Sequence, residues 1–212
     1  SSLDQIGPIA QNLDDLFTAF NVIKGKCEFD STVTLQSSDV DLSLESTPLK
    51  VGVIKNIFDQ QGITSEIKNH FQFTVNQFQE SGCEVTEFEL QGIEQLVPAY
   101  YLTATSEASA NLARFDGIRY GQRCQSESLD KLYKKSRSQG FGKEVKQRIM
   151  LGTFCLSSGY YDAYYKKAMT FRNYLTATIN QMFESVDLLI VPTTPSSAFR
   201  FGEKSSDPVA MY

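Results

Sequence analysis

The sequence predicts an α/β fold from the order of three segments in its first half. Residues 49–54 read LKVGVI, a nearly continuous apolar run that is typical of a strand covered on both faces. Thr64 and Glu66 then begin a helix that ends at Gly82, and residues 83–90 have the pattern of a second strand. Because strand, helix and strand follow one another with short connections, we predict a right-handed parallel βαβ unit.

Helical periodicity marks much of the remaining chain. Asn12 is a good N-cap for an amphipathic helix that Gly25 ends. In the second half, apolar residues recur every three or four positions over long stretches, which is the pattern of a helix with one buried face. These patterns predict helices at 96–114, 143–156 and 160–186, and then a buried strand at 187–191 that is ended by Pro192.

Composition and charge exclude several classes of function. The net charge is −5 at pH 7, so the chain has no overall positive field with which to hold a nucleic acid backbone. The single histidine, His70, excludes a zinc site built from several histidines, and its polar surroundings indicate an exposed helical position. The four cysteines are widely spaced without a CxxC pair, which favours a reducing cytoplasm. No apolar run is long enough to cross a bilayer, so no membrane role is predicted.

A local excess of positive charge lies between Asp130 and Arg148. Seven basic residues occur there against two acids. Such a run is able to meet an RNA backbone or an acidic partner, but a solvated helical face is the simpler interpretation.

Arg148 is the residue with the most distinctive chemical surroundings. Gly152 follows it one helical turn later, although glycine destabilises a helix by about 1 kcal/mol relative to alanine. Small residues beside an arginine predict a recess in which the guanidinium binds a carboxylate through two parallel hydrogen bonds. The alternative is that Gly152 allows close helix packing and that Arg148 pairs with a structural acid.

Five runs of the sequence resemble the amidase signature family. The long runs are specific, and the resemblance weakens only at 30–48, a stretch rich in Ser, Thr and Asp that we interpret as a surface connection. The five runs are SSLDQIGPIAQNLDDLF from Ser1, SEASANLARFDGIRYG from Ser106, SRSQGFGKEVKQRIMLGTF from Ser136, LSSGYYDAYYKKA from Leu156 and PTTPSSAF from Pro192.

The resemblance implies a mixed, largely parallel sheet between helical layers. Residues 1–212 would form the middle to C-terminal part of a single amidase domain, so the sheet would be incomplete in this chain. We therefore expect the apolar faces of Phe17, Val53 and Ile190 to be poorly covered in the isolated chain.

The resemblance also implies an activity. The runs are most similar to the branch of the family that hydrolyses glutamine in the cytoplasm and passes the ammonia to a partner. In that branch, subunits B and C complete the enzyme, and ATP and Mg²⁺ are expected at the partner subunit, with no cofactor in this chain. Glu-tRNA or Asp-tRNA is amidated by the complex. The family's Ser-Ser-Lys catalytic group belongs upstream of Ser1, so no catalytic residue is assigned here.

Two substrate-binding residues follow from the resemblance. Tyr100, in PAYY, and Arg148, in KQRIMLG, match the tyrosine and the arginine that bind glutamine in the family, and the arginine pairs with the α-carboxylate. The aspartate for the α-amino group belongs beyond Tyr212, and Gln147 stands where relatives often carry arginine. Two alternatives remain: an amidase-signature hydrolase that acts on another small amide, and a non-catalytic scaffold that binds partner subunits.

Overall fold

The computed structural model describes residues 2–31, 33, 48–60 and 62–203. These residues fall into two compact units, one within 2–47 and the other within 48–212. The surface connection predicted at 30–48 lies mostly outside the described residues, and the assignment of residues 1–212 to one domain stays a prediction.

The described part of the first unit contains one helix, α1 (Leu13–Ile23), which begins and ends where the sequence predicts. The side-chain oxygen of Asn12 accepts a hydrogen bond from the backbone N–H of Asp15 at 2.8 Å, and so satisfies one of the donors that a helix start leaves unpaired. After the helix, Gly25 has a φ of 129°, a backbone conformation that glycine adopts readily.

The second unit is built on a three-stranded parallel sheet. Its central strand pairs with a neighbour on each side, so that Val51 lies opposite Val85 and opposite Leu188. This pairing confirms the predicted α/β class and the parallel βαβ unit. The strands are β1 (Lys50–Ile54), β2 (Glu84–Phe88) and β3 (Leu188–Ile190), in the spatial order β2-β1-β3.

The central strand is better covered than expected. Val53 is only 5% exposed, so the expectation that it would be poorly covered is wrong. The reason is its position, because β1 has a neighbour on both sides and the strand is buried on both faces from Val51 to Ile54. Ile190 lies on β3, an edge strand of the described sheet, and is half-buried.

In the part of the second unit that the structure describes, five α-helices accompany the sheet, together with two short 3₁₀ helices at Lys55–Asp59 and Ile93–Gln95. Thr64 caps the first of the α-helices as predicted, since its hydroxyl accepts from the backbone N–H of Ile67. The last begins later than its periodicity predicts, because a turn with Gly159 at a φ of 88° occupies the preceding residues. The α-helices are α2 (Ser65–Glu80), α3 (Leu96–Leu112), α4 (Leu129–Gly140), α5 (Lys143–Leu156) and α6 (Tyr165–Phe183).

Helix α4 was not predicted as a separate element. It is strongly polar, and Leu132 and Ser136 are its buried residues, so it lacks the continuous apolar stripe that identifies a helix in a sequence. Its start was nevertheless readable, because Ser128 is a good N-cap residue and its hydroxyl accepts from the backbone N–H of Lys131.

The loop after β2 is fixed to the end of β1. Asn56 donates from its side-chain nitrogen to the carbonyl of Leu90 at 2.9 Å and accepts from the N–H of Leu90 at 3.0 Å. Leu90 and Ile54 then pack with Met182 in the apolar core. These contacts determine where the chain enters α3.

A tight turn follows α3 at Asp116. One carboxylate oxygen of Asp116 accepts from the backbone N–H groups of Ile118, at 2.8 Å, and Arg119, at 3.0 Å. The other oxygen pairs with the guanidinium of Arg119 at 3.1 Å. Hydrogen bonds from the backbone N–H groups of Arg119 and Ile118 are the main reason why the pKa of Asp116 is lowered to about 2.

Because the pKa of Asp116 is depressed in the folded protein, its carboxylate stabilises the fold above pH 3.8 and this contribution disappears as the pH falls towards 2. We therefore expect Asp116→Asn to be less stable than the wild type at neutral pH, and the difference to shrink between about pH 4 and pH 2. Urea unfolding at several pH values measures this. A difference that stays constant across that window would contradict the role given to Asp116.

Candidate substrate-binding site

Arg148 is held at two sides of its guanidinium group. It lies on α5, and its side chain is 27% exposed. Its Nε donates to Oε1 of Glu144, one turn earlier on the same helix, at 3.0 Å. The guanidinium carbon lies over the ring of Tyr101 on α3, 5.9 Å from the ring centre. The positive charge is therefore partly withdrawn from solvent and oriented by neighbouring residues.

Tyr100, the second predicted site residue, lies on α3 beside Tyr101 and is 47% exposed. Successive residues of a helix point about 100° apart, so the two rings face different directions. The structure thus brings Arg148 against the helix that carries Tyr100, but the ring over which its guanidinium lies is that of Tyr101.

In the part of the chain that the structure describes, α3 fills the space where a recess beside Gly152 was predicted. A Cβ atom at Gly152 would overlap the carbonyl oxygen of Thr105, and it would lie 2.6 Å from the carbonyl carbon of Thr105 and 2.7 Å from Cβ of Ser109. The space is filled by the backbone of α3. Gly152 therefore serves close helix packing. Arg148 pairs with Glu144 at 3.0 Å, and its role in substrate binding stays a prediction.

The contact between α3 and α5 follows a regular register. Tyr101 and Thr105 are one turn apart on α3, and they meet Arg148 and Gly152, which are one turn apart on α5. One more turn along α3, the hydroxyl groups of Ser109 and Thr153 are 2.9 Å apart and share a hydrogen bond. Residue numbers increase in the same direction along both helices at these contacts. The position of Arg148 therefore depends on the packing of the two helices over several turns.

Sequence reasoning missed Tyr101 and Glu144. The signal for Glu144 was present, because an acid and an arginine four positions apart form a common helical ion pair. No local signal pointed to Tyr101, since its neighbour Tyr100 stands in the same PAYY run and only the packing of α3 against α5 distinguishes the two.

A cavity of about 740 Å³ opens at the carboxyl ends of the strands. This edge is where open α/β sheets bind ligands. Among the residues that the structure describes, its charged lining residues are Glu94 and Glu203, and this described part of the wall contains no lysine or arginine. The lining comes from positions 57, 60 and 62–64 after β1, positions 93, 94, 96 and 97 after β2, and positions 192–199 and 203 after β3.

The cavity is adjacent to the predicted site along α3. Leu96 and Val97 line the cavity, and they lie one helical turn before Tyr100 and Tyr101. Tyr100 and Arg148 are not among its lining residues. The first two turns of α3 therefore connect a wall of the cavity with the helix contact that holds Arg148.

The basic run at 130–148 is largely used in contacts within the protein. Lys134 pairs with Asp130 at 2.8 Å on the surface of α4. Arg137 donates to the carbonyl groups of Leu112 and Phe115, at 3.0 and 2.9 Å, and so ties α4 to the end of α3. These contacts agree with a solvated helical face and give no support to an RNA-binding surface.

His70 and Cys155 have side chains that could take part in a reaction, but their positions do not favour it. His70 is exposed on α2, as predicted. Cys155 is 1% exposed, and burial raises the pKa of its thiol, which disfavours the reactive thiolate. Within residues 2–31, 33, 48–60 and 62–203, no group of three His, Cys, Asp or Glu side chains is arranged to hold a metal ion. None of the helices in this part of the chain has the length and apolar character needed to span a membrane.

Similarity to known proteins over the whole chain places it in a family. The family model for amidases matches residues 1–212, so this chain belongs to the amidase family. It is 47% identical to the A subunit of glutamyl-tRNA(Gln) amidotransferase from Brevibacillus brevis, and 46% identical to the proteins of that name from Thermodesulfovibrio yellowstonii and Staphylococcus epidermidis. Each alignment covers 100% of this chain and 44% of the relative, so the chain spans less than half the length of these proteins.

The helix contact at Gly152 generates a prediction about stability. In an open helix, Gly→Ala stabilises a protein by up to about 1 kcal/mol. At Gly152 the added Cβ meets the backbone of Thr105, which cannot rotate away as a side chain does. We expect Gly152→Ala to lower the free energy of unfolding by about 1 to 3 kcal/mol, measured by urea denaturation.

Gly140→Ala is the matched control for this substitution. Gly140 ends α4, and a Cβ atom there would have no neighbour within 4 Å. The control is expected to be neutral or slightly stabilising. If Gly152→Ala behaved in the same way, α3 and α5 would not be in the close contact described.

Proposed function

We propose that this chain is part of the glutamine-hydrolysing component of a tRNA-dependent amidotransferase. The observation that carries the proposal is the match of the whole chain, at 46–47% identity, to relatives that bear the name of the A subunit of glutamyl-tRNA(Gln) amidotransferase. In this proposal the enzyme releases ammonia from the side-chain amide of glutamine. A partner subunit then uses the ammonia to convert Glu-tRNA(Gln) to Gln-tRNA(Gln), or Asp-tRNA(Asn) to Asn-tRNA(Asn).

Arg148 has the chemistry that binding of glutamine requires. Its guanidinium presents several N–H donors in one plane, which suits the α-carboxylate of an amino acid, and hydrogen bonds between ionised groups are the strong ones. Partial burial strengthens such a bond, because fewer water molecules compete for the guanidinium. We therefore assign the α-carboxylate of glutamine to Arg148.

Tyr100 is the second residue assigned to glutamine. Its exposed side chain lies on α3, the helix that packs directly against α5. A tyrosine in such a position offers an apolar ring face and a hydroxyl group that donates or accepts. We assign it to the body of the substrate, with Arg148 at the carboxylate end.

Bond cleavage is assigned to parts of the parent protein that these 212 residues do not include. The family resemblance implies a Ser-Ser-Lys group, in which the lysine activates the nucleophilic serine through a bridging serine, so no histidine is needed. The exposed position of the chain's single histidine is compatible with that chemistry. In the complete cytoplasmic enzyme, subunits B and C are the proposed partners, and ATP and Mg²⁺ act at one of these partners.

Removal of the Arg148 guanidinium tests the proposal in the full-length protein with its partner subunits. We expect Arg148→Ala to lower kcat/KM for glutamine by roughly 30- to 1,000-fold, equivalent to about 2 to 4 kcal/mol, because the α-carboxylate loses its charged partner. Ammonia release from glutamine is the measurement.

Arg123→Ala is the matched control, because Arg123 is exposed and lies outside both α3 and α5. It is expected to retain the wild-type kcat/KM. Unchanged glutamine kinetics in Arg148→Ala would favour an amidase that acts on a different small amide.

A second assay uses the 212-residue chain by itself. We expect no ammonia release from glutamine, since the proposed nucleophile is not among these residues. The full-length protein under the same conditions is the positive control, and far-UV circular dichroism checks that the helices of the chain have formed. Ammonia release by the chain alone would mean that it carries its own nucleophile, and would overturn that part of the proposal.

A further inference from the structure

We infer that the turn at residues 115–120 is a docking surface for a partner subunit, which presents a carboxylate and an apolar recess to it. The exposed side chains of this turn are those of Phe115, Ile118, Arg119 and Tyr120. The inference rests on the proposed function, because that function supplies the partner subunits. It adds a surface to which neither the resemblance nor the relatives' names give a role.

Three side chains of the turn are apolar or aromatic although they face solvent. Phe115, Ile118 and Tyr120 are 39%, 44% and 53% exposed. The rings of Phe115 and Tyr120 lie beside each other, with their centres 5.9 Å apart. Aromatic residues and arginine are enriched in protein–protein interfaces, where a few such side chains carry most of the binding energy. An exposed group of this composition therefore indicates contact with another protein surface.

The backbone of the turn is held in one conformation by its own hydrogen bonds. The carboxylate of Asp116 accepts from the N–H groups of Ile118 and Arg119. The N–H of Gly117 donates to the carbonyl of Tyr120 at 3.0 Å. The exposed side chains are thus carried by a backbone that needs little further ordering when a partner binds, and this favours affinity.

Helix α4 supports the turn from the side away from solvent. A Cβ atom at Gly117 would lie 2.6 Å from Oγ of Ser136, so the turn is in close contact with this buried side chain. The same Oγ accepts from the N–H of Cys124 at 3.0 Å. Arg137, the next residue of α4, donates to the carbonyl of Phe115 at 2.9 Å. The turn is therefore fixed to α4 at three points.

Arg119 gives the turn a positive charge that faces solvent. Its side chain is 66% exposed, whereas that of Asp116, its ion-pair partner, is 14% exposed. The ion pair uses Nε of Arg119, and within the residues that the structure describes, the terminal nitrogens of this guanidinium have no partner. The exposed Arg114 adds a second cation, whose Nε donates to the backbone carbonyl of Asn111. An acidic partner surface complements this outward charge.

An acidic protein surface fits the turn better than a nucleic acid does. Contacts with a phosphate backbone are made by cations and polar groups, and they would leave the exposed side chains of Phe115 and Ile118 unburied. The net charge of −5 also repels a polyanion. A guanidinium forms two parallel hydrogen bonds with a carboxylate, so a single acid on the partner is sufficient to pair with Arg119.

The experiment measures the Kd between the full-length protein and its partner subunits B and C. Arg119→Ala removes the cation and Tyr120→Ala removes the ring, while both keep the backbone groups that form the turn. Each is expected to raise Kd at least about tenfold, because a side chain at the centre of an interface is lost. Salt at about 0.5 M is expected to weaken binding of the wild type more than that of Arg119→Ala, because it screens the charge pair.

Matched controls replace the same residue types outside the turn. Arg123→Ala removes an exposed arginine, and Tyr174→Ala removes a tyrosine on α6 that is 43% exposed. Neither is expected to change Kd. The thermal unfolding midpoint of each full-length variant, measured without partners, shows whether the fold is kept.

Hydroxyl-radical labelling of the wild type provides a readout that needs no variant. Phe115 and Tyr120 are expected to be labelled in the full-length protein alone, and to lose most of that labelling when subunits B and C are added. Protection that is already complete in the full-length protein alone would mean that the remainder of the parent chain covers the turn, and would overturn the inference.

Two further results would also overturn it. One is an unchanged Kd for both variants while the wild type binds B and C. The other is normal assembly of the variant complexes with weaker binding of tRNA, which would assign the turn to a nucleic acid. Failure of the proposed function has a different signature: the wild type does not bind B and C, in which case the inference falls as well, or it binds them and releases no ammonia from glutamine.

Discussion

The close contact between α3 and α5 is the constraint on which the candidate site depends. Gly152 has no side chain, so the backbone of α5 approaches the carbonyl group of Thr105 more closely than any other residue would allow. The buried residues of α3, Thr103, Thr105 and Ser106, are small, which favours close packing around the helix. The cost of glycine in a helix is therefore offset by tight packing between two elements that carry the proposed substrate residues.

The same helix links the sheet with the site. Asn56 fixes Leu90 to the end of β1, and the chain then turns at Ile93 into α3. The first turn of α3 lines the cavity at the carboxyl ends of the strands, and the next turn carries Tyr100 and Tyr101. Helix α3 would thus help to position both a ligand at this edge of the sheet and a carboxylate at Arg148. Because α3 is one rigid element, it favours a fixed distance between the two positions.

The cavity and the candidate carboxylate site at Arg148 also differ in charge. The cavity wall carries Glu94 and Glu203, whereas the cation that suits a carboxylate lies on α5. Three basic residues of α4 that stand out in the sequence, Lys131, Lys134 and Arg137, are engaged with nearby acids and carbonyl groups. Positive charge that looks like a binding surface in a linear sequence is therefore mainly structural, and the functional candidate is one arginine that neighbouring residues orient.

The sequence by itself determined the α/β class, the parallel βαβ unit, the caps at Asn12 and Thr64 and the family, because periodicity, capping and motifs are local properties of the chain. It singled out Arg148, whose role in binding stays a prediction, but it misread Gly152. Only the tertiary structure decided that the space beside the glycine is filled by Thr105 and that Tyr101 lies beside the guanidinium. Such contacts join distant positions, as Ser109 and Thr153 do across 44 residues, and spacing along the chain carries no information about which surfaces of two helices will meet.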